Sequence, residues 1–364
     1  MSRPDAVSAK PTPADANTVS PFNRRKLPLG GWELTLIVLL VAVVVGFAWA
    51  APGFYDGVPD LLAMTENFLP YGFVALGLSL VIFTGGIDLS VGATASLSAV
   101  VAAQLWHGFG VNIWVAAAIG VLLGAVLGAI NVLVIIRLKI EPLIATLATS
   151  FIYGSIATAV AGNSPPSGFP DAFNALGGGA MDLGGLQGLL PYQLLLFVPL
   201  CVIFWLLVSG SAYGRKLVMV GYNAEAAHYT GIRVGRILIV AYVLSGMMAA
   251  IAGLVLAAYY SAVRPDMGDT LLLTTLTMVV LGGVSIFGGE GKMLGIILAV
   301  FILGFLRQGM MIAGFSDMVT TMVTGAILIA SIAVKNLFNR RGTGLGNQLW
   351  ALLKRPNSTA AGAE

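Results

Sequence analysis

The chain has 364 residues, 58% of them hydrophobic and 10% charged, where soluble domains carry about 25% charged residues. With a mean hydropathy of +0.92, it falls in the polytopic membrane class. One cysteine excludes a disulfide framework, two distant histidines give no metal-site spacing, and a net charge of +3 gives no sign of a nucleic-acid partner.

The first 31 residues are polar and rich in Pro, Ala, Ser and Thr, so residues 1–31 read as a disordered cytoplasmic tail. Arg24-Arg25-Lys26, an apolar run and Ala48-Trp49-Ala50 resemble a signal peptide. The run is too long and its polar lead too extended, and an uncleaved first helix is expected. At about 20 apolar residues per spanning helix, the chain divides into ten spans. They cover 33–51, 67–84, 88–106, 112–136, 142–161, 191–209, 237–260, 270–287, 292–311 and 317–335.

Between spans two and three lies GGIDLSVG at 85–92, a polar interruption in an apolar stretch. Gly85 and Gly86 allow a tight reversal. Asp88 can cap the next helix through the amide of Ser90 or Val91, and Gly92 keeps that helix thin. The stretch is expected near the cytoplasmic end of span two, as a structural pivot beside a translocation path. Residues 161–190 are turn-rich and form the one long outside loop, a connector or a partner surface. Cys201 sits in LLLFVPLCVIFWLLV and reads as a buried inert thiol. In the loop 210–236, AEAAHYTGI reads as a short helix, with Asn223 as N-cap, Glu225 in the first turn and Gly231 as the stop. This helix is either an interfacial connector or a docking site for another protein.

The charges orient the spans. Of the 19 basic residues, all but Arg264 and Arg307 fall in the two tails or in loops on one side. The positive-inside rule makes that side the cytoplasm and places both termini there. The opposite loops carry Asp56, Asp60, Asp171, Asp182, Asp266 and Asp269. The domains expected are the tail 1–31, a transmembrane domain 32–337 and a cytoplasmic tail 338–364.

Ten helices with short loops leave no room for a soluble catalytic domain, so transport leads and no catalytic residue, cofactor or metal is assigned. Gly291-Lys292 is the nearest approach to a Walker A loop, but Ile286 and Met293 stand where Gly and Ser/Thr are needed. Few ionisable residues lie within spans, chiefly Asp88 and Arg307. Asp88 has the plain reading of an N-cap, and Arg307 that of a side chain snorkelling outward. That poverty favours a neutral, polyhydroxylated or moderately polar solute over proton or sodium coupling.

An internal echo is present. LGAINVLVIIRLKIEPLIATLATS from Leu127 and LGFLRQGMMIAGFSDMVTTMVTGA from Leu303 both place an acid, Glu141 and Asp317, at the start of a span. The expected fold is an all-α polytopic membrane protein of about ten helices, with spans 2–5 and 7–10 as inverted repeats. Asp88 then corresponds roughly to Asp269.

Three stretches resemble one family. GYNAEAAHYTGIRVGR at 221–236 looks like the coupling loop of permease subunits in ATP-binding cassette importers. GGIDLSVG, and VVLGGVSIFGGEGKMLG at 279–295, resemble the ribose/galactose-type sugar permeases, including autoinducer-2 permeases. The resemblance runs from about 35 to 337. It implies a bacterial inner-membrane permease that moves a monosaccharide or similar small polar solute inward by alternating access. It also implies a cytoplasmic ATPase, a periplasmic or lipid-anchored solute-binding protein and a second permease copy or paralogue. Carried over, Gly221, Ala226, Ala227, Gly231 and Ile232 would contact the ATPase, beside Asn223 and Glu225. A permease for branched-chain amino acids or nucleosides remains the alternative within the class, and a self-contained secondary transporter or channel the alternative outside it.

Overall fold

The computed structural model describes residues 31–183 and 186–341, so most of both expected tails lies outside the described residues. Helices dominate. In chain order they are α1 (Gly31–Ala50), α2 (Val58–Ala63), α3 (Leu69–Phe83), α4 (Val91–Phe109), α5 (Ile113–Leu138), α6 (Pro142–Ala161) and α7 (Asp171–Gly178). A two-stranded antiparallel hairpin follows, β1 (Ala180–Leu183) and β2 (Leu186–Pro191). Then come α8 (Tyr192–Trp205), prolonged by a π turn over Leu206–Gly210, α9 (Ala212–Tyr222), α10 (Ala224–Tyr229), α11 (Val234–Tyr260), α12 (Leu271–Leu281), α13 (Met293–Ile312) and α14 (Asp317–Arg341).

A helix stands at each of the ten expected spans. Among the described residues, six are long and apolar enough to cross a membrane: α1, α5, α6, α8 with its π turn, α11 and α13. The bent pair formed by Val58–Asn67 and α3, with 59° between its arms, makes a seventh if taken as one broken span. Length and composition therefore do not establish ten. The shortfall has physical causes. Helix α4 buries Thr94, Ser96 and Ser98 among its apolar residues, which lowers its hydropathy. Helix α12 has 11 residues, about 16 Å of rise, which is half a hydrocarbon core of about 30 Å. It ends at Leu281, short of the expected 287, because the chain turns at Gly282 and Gly283, where φ at Gly283 is +91°.

Long-range contacts agree with the alternation read from charge. Lys292 pairs with Glu33 at 3.0 Å, and Trp32 Nε1 donates to the Leu281 carbonyl at 3.2 Å. These four residues lie at span ends assigned to the inside. Tyr259 OH donates to Asn67 at 2.9 Å, between span ends assigned to the outside. Arg307, also outside, is not a snorkelling side chain: it pairs with Asp317 at 2.6 Å and lies 3.2 Å from the Tyr71 hydroxyl. Each terminal nitrogen of its fork has a partner, Nη1 in Tyr71 and Nη2 in Asp317, in a half-buried site.

The long outside loop is more than a connector. Phe169 and Phe173 are buried, with Phe169 5.1 Å from the Trp106 ring and Phe173 5.9 Å from that of Trp114. Helix α7 thereby becomes a plug over the ends of α4, α5 and α11.

The packing mirrors itself. Helix α11 packs on α5 as α3 packs on α13. Contacts of α4 with α5 and α6 are repeated by those of α12 with α13 and α14. Helices α3 and α11 meet at the centre. This is the pairing that spans 2–5 and 7–10 require as repeats. Helices α5 and α11 approach closely. There Gly120, Gly124 and Gly128 form a one-sided stripe, and a Cβ on Gly124 would strike the Gly246 carbonyl oxygen.

Candidate functional site

GGIDLSVG begins at its expected place, the cytoplasmic end of span two: Gly85 packs against Phe287 and Gly288, and Gly86 lies near Pro142 at the start of α6. From there the chain runs inward. Asp88 is buried and its Oδ2 accepts from Ser245 Oγ at 3.2 Å. Ser245 stands about 16 Å along α11 from its cytoplasmic start. Residues 84–90 therefore turn back into the bilayer, and α4 begins well inside it.

A backbone without a helix at this depth needs internal partners, and they are present. Thr146 Oγ1 accepts from the Leu89 amide at 3.1 Å and lies 3.0 Å from the Ile87 carbonyl. Asp88 Oδ1 accepts from the Ser90 amide at 3.0 Å and from Ser90 Oγ at 2.7 Å, so Asp88 does order the start of α4. Asn131 donates to Ser90 Oγ at 2.7 Å, and Tyr153 OH donates towards Asn131 Oδ1 at 3.0 Å. The result is a buried polar chain joining α4, α5, α6 and α11. Gly85 takes φ +82° and Gly86 is pressed to the Tyr242 hydroxyl, so both glycines are needed for the reversal.

The second break lies between α11 and α12, at 261–270, and comes in from the other side. The Gly268 amide donates to Ser96 Oγ at 2.9 Å, within α4. Gly92 and Gly268 lie back to back: a Cβ on either would strike the other's carbonyl oxygen. The two breaks meet here, at the junction of the two repeats.

A cavity of about 470 Å³ opens at this junction. Gly92 and Ala93 form its floor at the start of α4, and Gly268, Asp266 and Asp269 form a second wall. Helix α6 supplies the third wall with Ser150, Gly154 and Thr158, one helical stripe, and Ser155 beside it. The volume is in the range of small-molecule sites. Carboxylates accept hydrogen bonds, and Ser and Thr hydroxyls both accept and donate. Among the described residues lining the cavity none is a cation. Such walls can hold a neutral solute with several hydroxyls, or a cation, and repel an anion. Asp88 is not among the lining residues; of the pivot candidates only Gly92 is. The α6 stripe and Asp266 had been passed over. Their signal was small and polar residues at helical spacing, within a span that otherwise reads as lipid-facing.

The loop of α9 and α10 folds as its residues dictate. Asn223 Oδ1 accepts from the Ala226 amide at 2.8 Å as N-cap, Glu225 follows in the first turn, and Gly231 ends the unit at φ +84°. Asn223, Glu225, Ala226 and Gly231 are exposed. Ala227 is buried and Ile232 half-buried, both turned to the body of the protein. Gly221 packs tightly inside, where a Cβ would strike the Phe83 carbonyl oxygen and the Gly289 amide. Phe83 closes α3, immediately before the first break. One unbroken set of contacts thus runs from the loop through Phe83 and residues 84–90 to Gly92 at the cavity.

Residues 61–332 match the family model described as branched-chain amino acid transport system, permease component. The chain belongs to that permease family. Autoinducer 2 import system permease protein LsrD of Klebsiella pneumoniae subsp. pneumoniae is 37% identical to this permease over 312 residues, covering 84% of this chain and 92% of that protein. The protein of the same name from Salmonella typhi is 35% identical over 313 residues, with the same shares covered, and that of Photorhabdus temperata is 36% identical over 316. No solved structure matches the chain. The permease is thus a membrane transport subunit of an ATP-binding cassette importer, and not itself an enzyme.

Proposed function

We propose that this permease imports a small, neutral, polyhydroxylated solute of the autoinducer-2 or monosaccharide kind, and that the solute passes through the cavity between Gly92, the α6 stripe and Asp266–Asp269. The observation carrying this reading is the cavity's place, where two broken helices of opposite entry meet; transporters with inverted repeats hold their solutes at such junctions. Its chemistry agrees, with acceptors and hydroxyls but no cation. The relatives' names supply the choice of solute. A branched-chain amino acid, the other kind of solute that the family description names, would leave its carboxylate facing Asp266 and Asp269, where Arg264 is already paired with Asp266.

The transport domain in this reading is 32–337, with both termini cytoplasmic and ten crossings. The partners are an ATPase seated on α10 through Asn223, Glu225, Ala226 and Gly231, a solute-binding protein outside, and a second permease copy or paralogue. Gly221, Ala227 and Ile232 set the angle of the loop. ATP binding to the partner pushes α10, and the push reaches the break through Phe83. The test is uptake into vesicles that carry the permease with its ATPase and binding protein. Labelled autoinducer-2, ribose and leucine are compared with and without ATP. ATP-dependent uptake of one of the polyhydroxylated solutes, unaffected by excess leucine, is expected. Uptake of leucine alone, or uptake without ATP, overturns the reading.

A further inference from the structure

The segment 282–292 joins α12 to α13 on the same face as α9 and α10. Gly288, Gly289 and Gly291 all take left-handed φ, at +85°, +75° and +133°. The Ser285 amide donates to the Glu290 carbonyl at 3.0 Å and the Gly288 amide to the Ser285 carbonyl at 2.9 Å, closing a tight turn. Three helices clamp it. The Gly289 amide donates to the Phe83 carbonyl at the end of α3, at 3.0 Å. Tyr222, the last residue of α9, packs on Gly289. The start of α1 holds both stems, through Trp32 to the Leu281 carbonyl and through Glu33 to Lys292.

At the tip of this restrained loop stands Phe287, 80% exposed. Tyr222 and Tyr229 are also exposed, on the adjoining α9–α10 unit. Aromatic rings on a rigid backbone lose little entropy on docking and dominate protein interfaces. The patch continues the proposed α10 contact, and nothing else in the described residues covers Phe287. The Phe287 carbonyl also packs against Gly85, the first glycine of the re-entrant stretch.

We propose that Phe287 is a second docking point for the ATPase subunit beside α10, and that it passes the subunit's motion to Gly85 directly. This inference rests on the importer reading above. The ATPase then grips two sites that straddle the end of α3, and its closure levers the first break.

The test uses the full chain co-expressed with its ATPase and held in lipid nanodiscs. A photoreactive phenylalanine analogue replaces Phe287 in one variant and Glu225 in another. Both are expected to capture the ATPase. Separately, Phe287→Ala should weaken ATPase binding about tenfold or more, and Phe287→Trp should restore it. Capture of lipid or of nothing at 287 while 225 captures the ATPase, or unchanged binding by Phe287→Ala, overturns the Phe287 contact and leaves the importer reading standing. If the unaltered chain binds no ATPase and neither position captures it, both are overturned.

Discussion

The two breaks occupy equivalent places in the two halves, yet they are built differently. Residues 84–90 are sealed: Asp88 is 1% exposed and accepts from Ser90 and Ser245, and Thr146 satisfies the flanking backbone. Residues 261–270 are open: Asp266 and Asp269 are exposed on the cavity wall, and the partner found for Asp266 is Arg264, at 3.7 Å and itself largely exposed. The same repeat has thus specialised. One break is a fixed frame tied to α5, α6 and α11. The other leaves its polar groups facing the cavity and is held to the frame by the contact of Gly268 with Gly92 and Ser96.

The largest effect is expected where the two breaks touch. Gly268→Val would drive a branched side chain into the Gly92 carbonyl. Loss of folded, monodisperse protein on size-exclusion chromatography is the expected outcome; a normal elution profile with normal uptake would break the back-to-back geometry. Next comes the sealed side. Asp88→Ala strands the buried donors of Ser90 and Ser245 and should cost ~3 kcal/mol or more. Asp88→Asn keeps an acceptor for the Ser90 amide and should cost less. Thermal unfolding in nanodiscs ranks the pair, and equal midpoints would show that the carboxylate frames nothing. On the open side, Asp269→Asn should leave the unfolding midpoint unchanged and raise the KM for uptake several-fold. A fall in stability with unchanged KM would reverse the roles assigned to the two breaks. The smallest effect belongs to Arg264→Gln, which removes an exposed ion pair worth about 0–1 kcal/mol. Its midpoint should not move measurably, in low salt or high.

Legibility followed the range of the interaction. The cap of α10 was legible because Asn223 and Ala226 are three residues apart and the chemistry of a cap is local. The alternation of charge named the faces, and the pairs Glu33–Lys292 and Asn67–Tyr259 agree with it. Ser90, Asn131, Thr146 and Ser245 were each visible as a polar residue in an apolar span, but their meeting was not, because they come from four segments far apart in sequence.

By itself the sequence determined the membrane class, the positions of the helices and the local fold of the α9–α10 loop. Apolar run length, positive charge and capping residues act within a turn or a loop, so they can be read along the chain. Only the tertiary structure decided that Asp88 is a buried strut, that Arg307 is paired, that Gly92 faces Gly268 and that a cavity with hydroxyls and carboxylates in its walls lies between the breaks. Those features exist where remote segments approach within a few ångströms, and each depends on small residues placed so that both backbones can reach the same point.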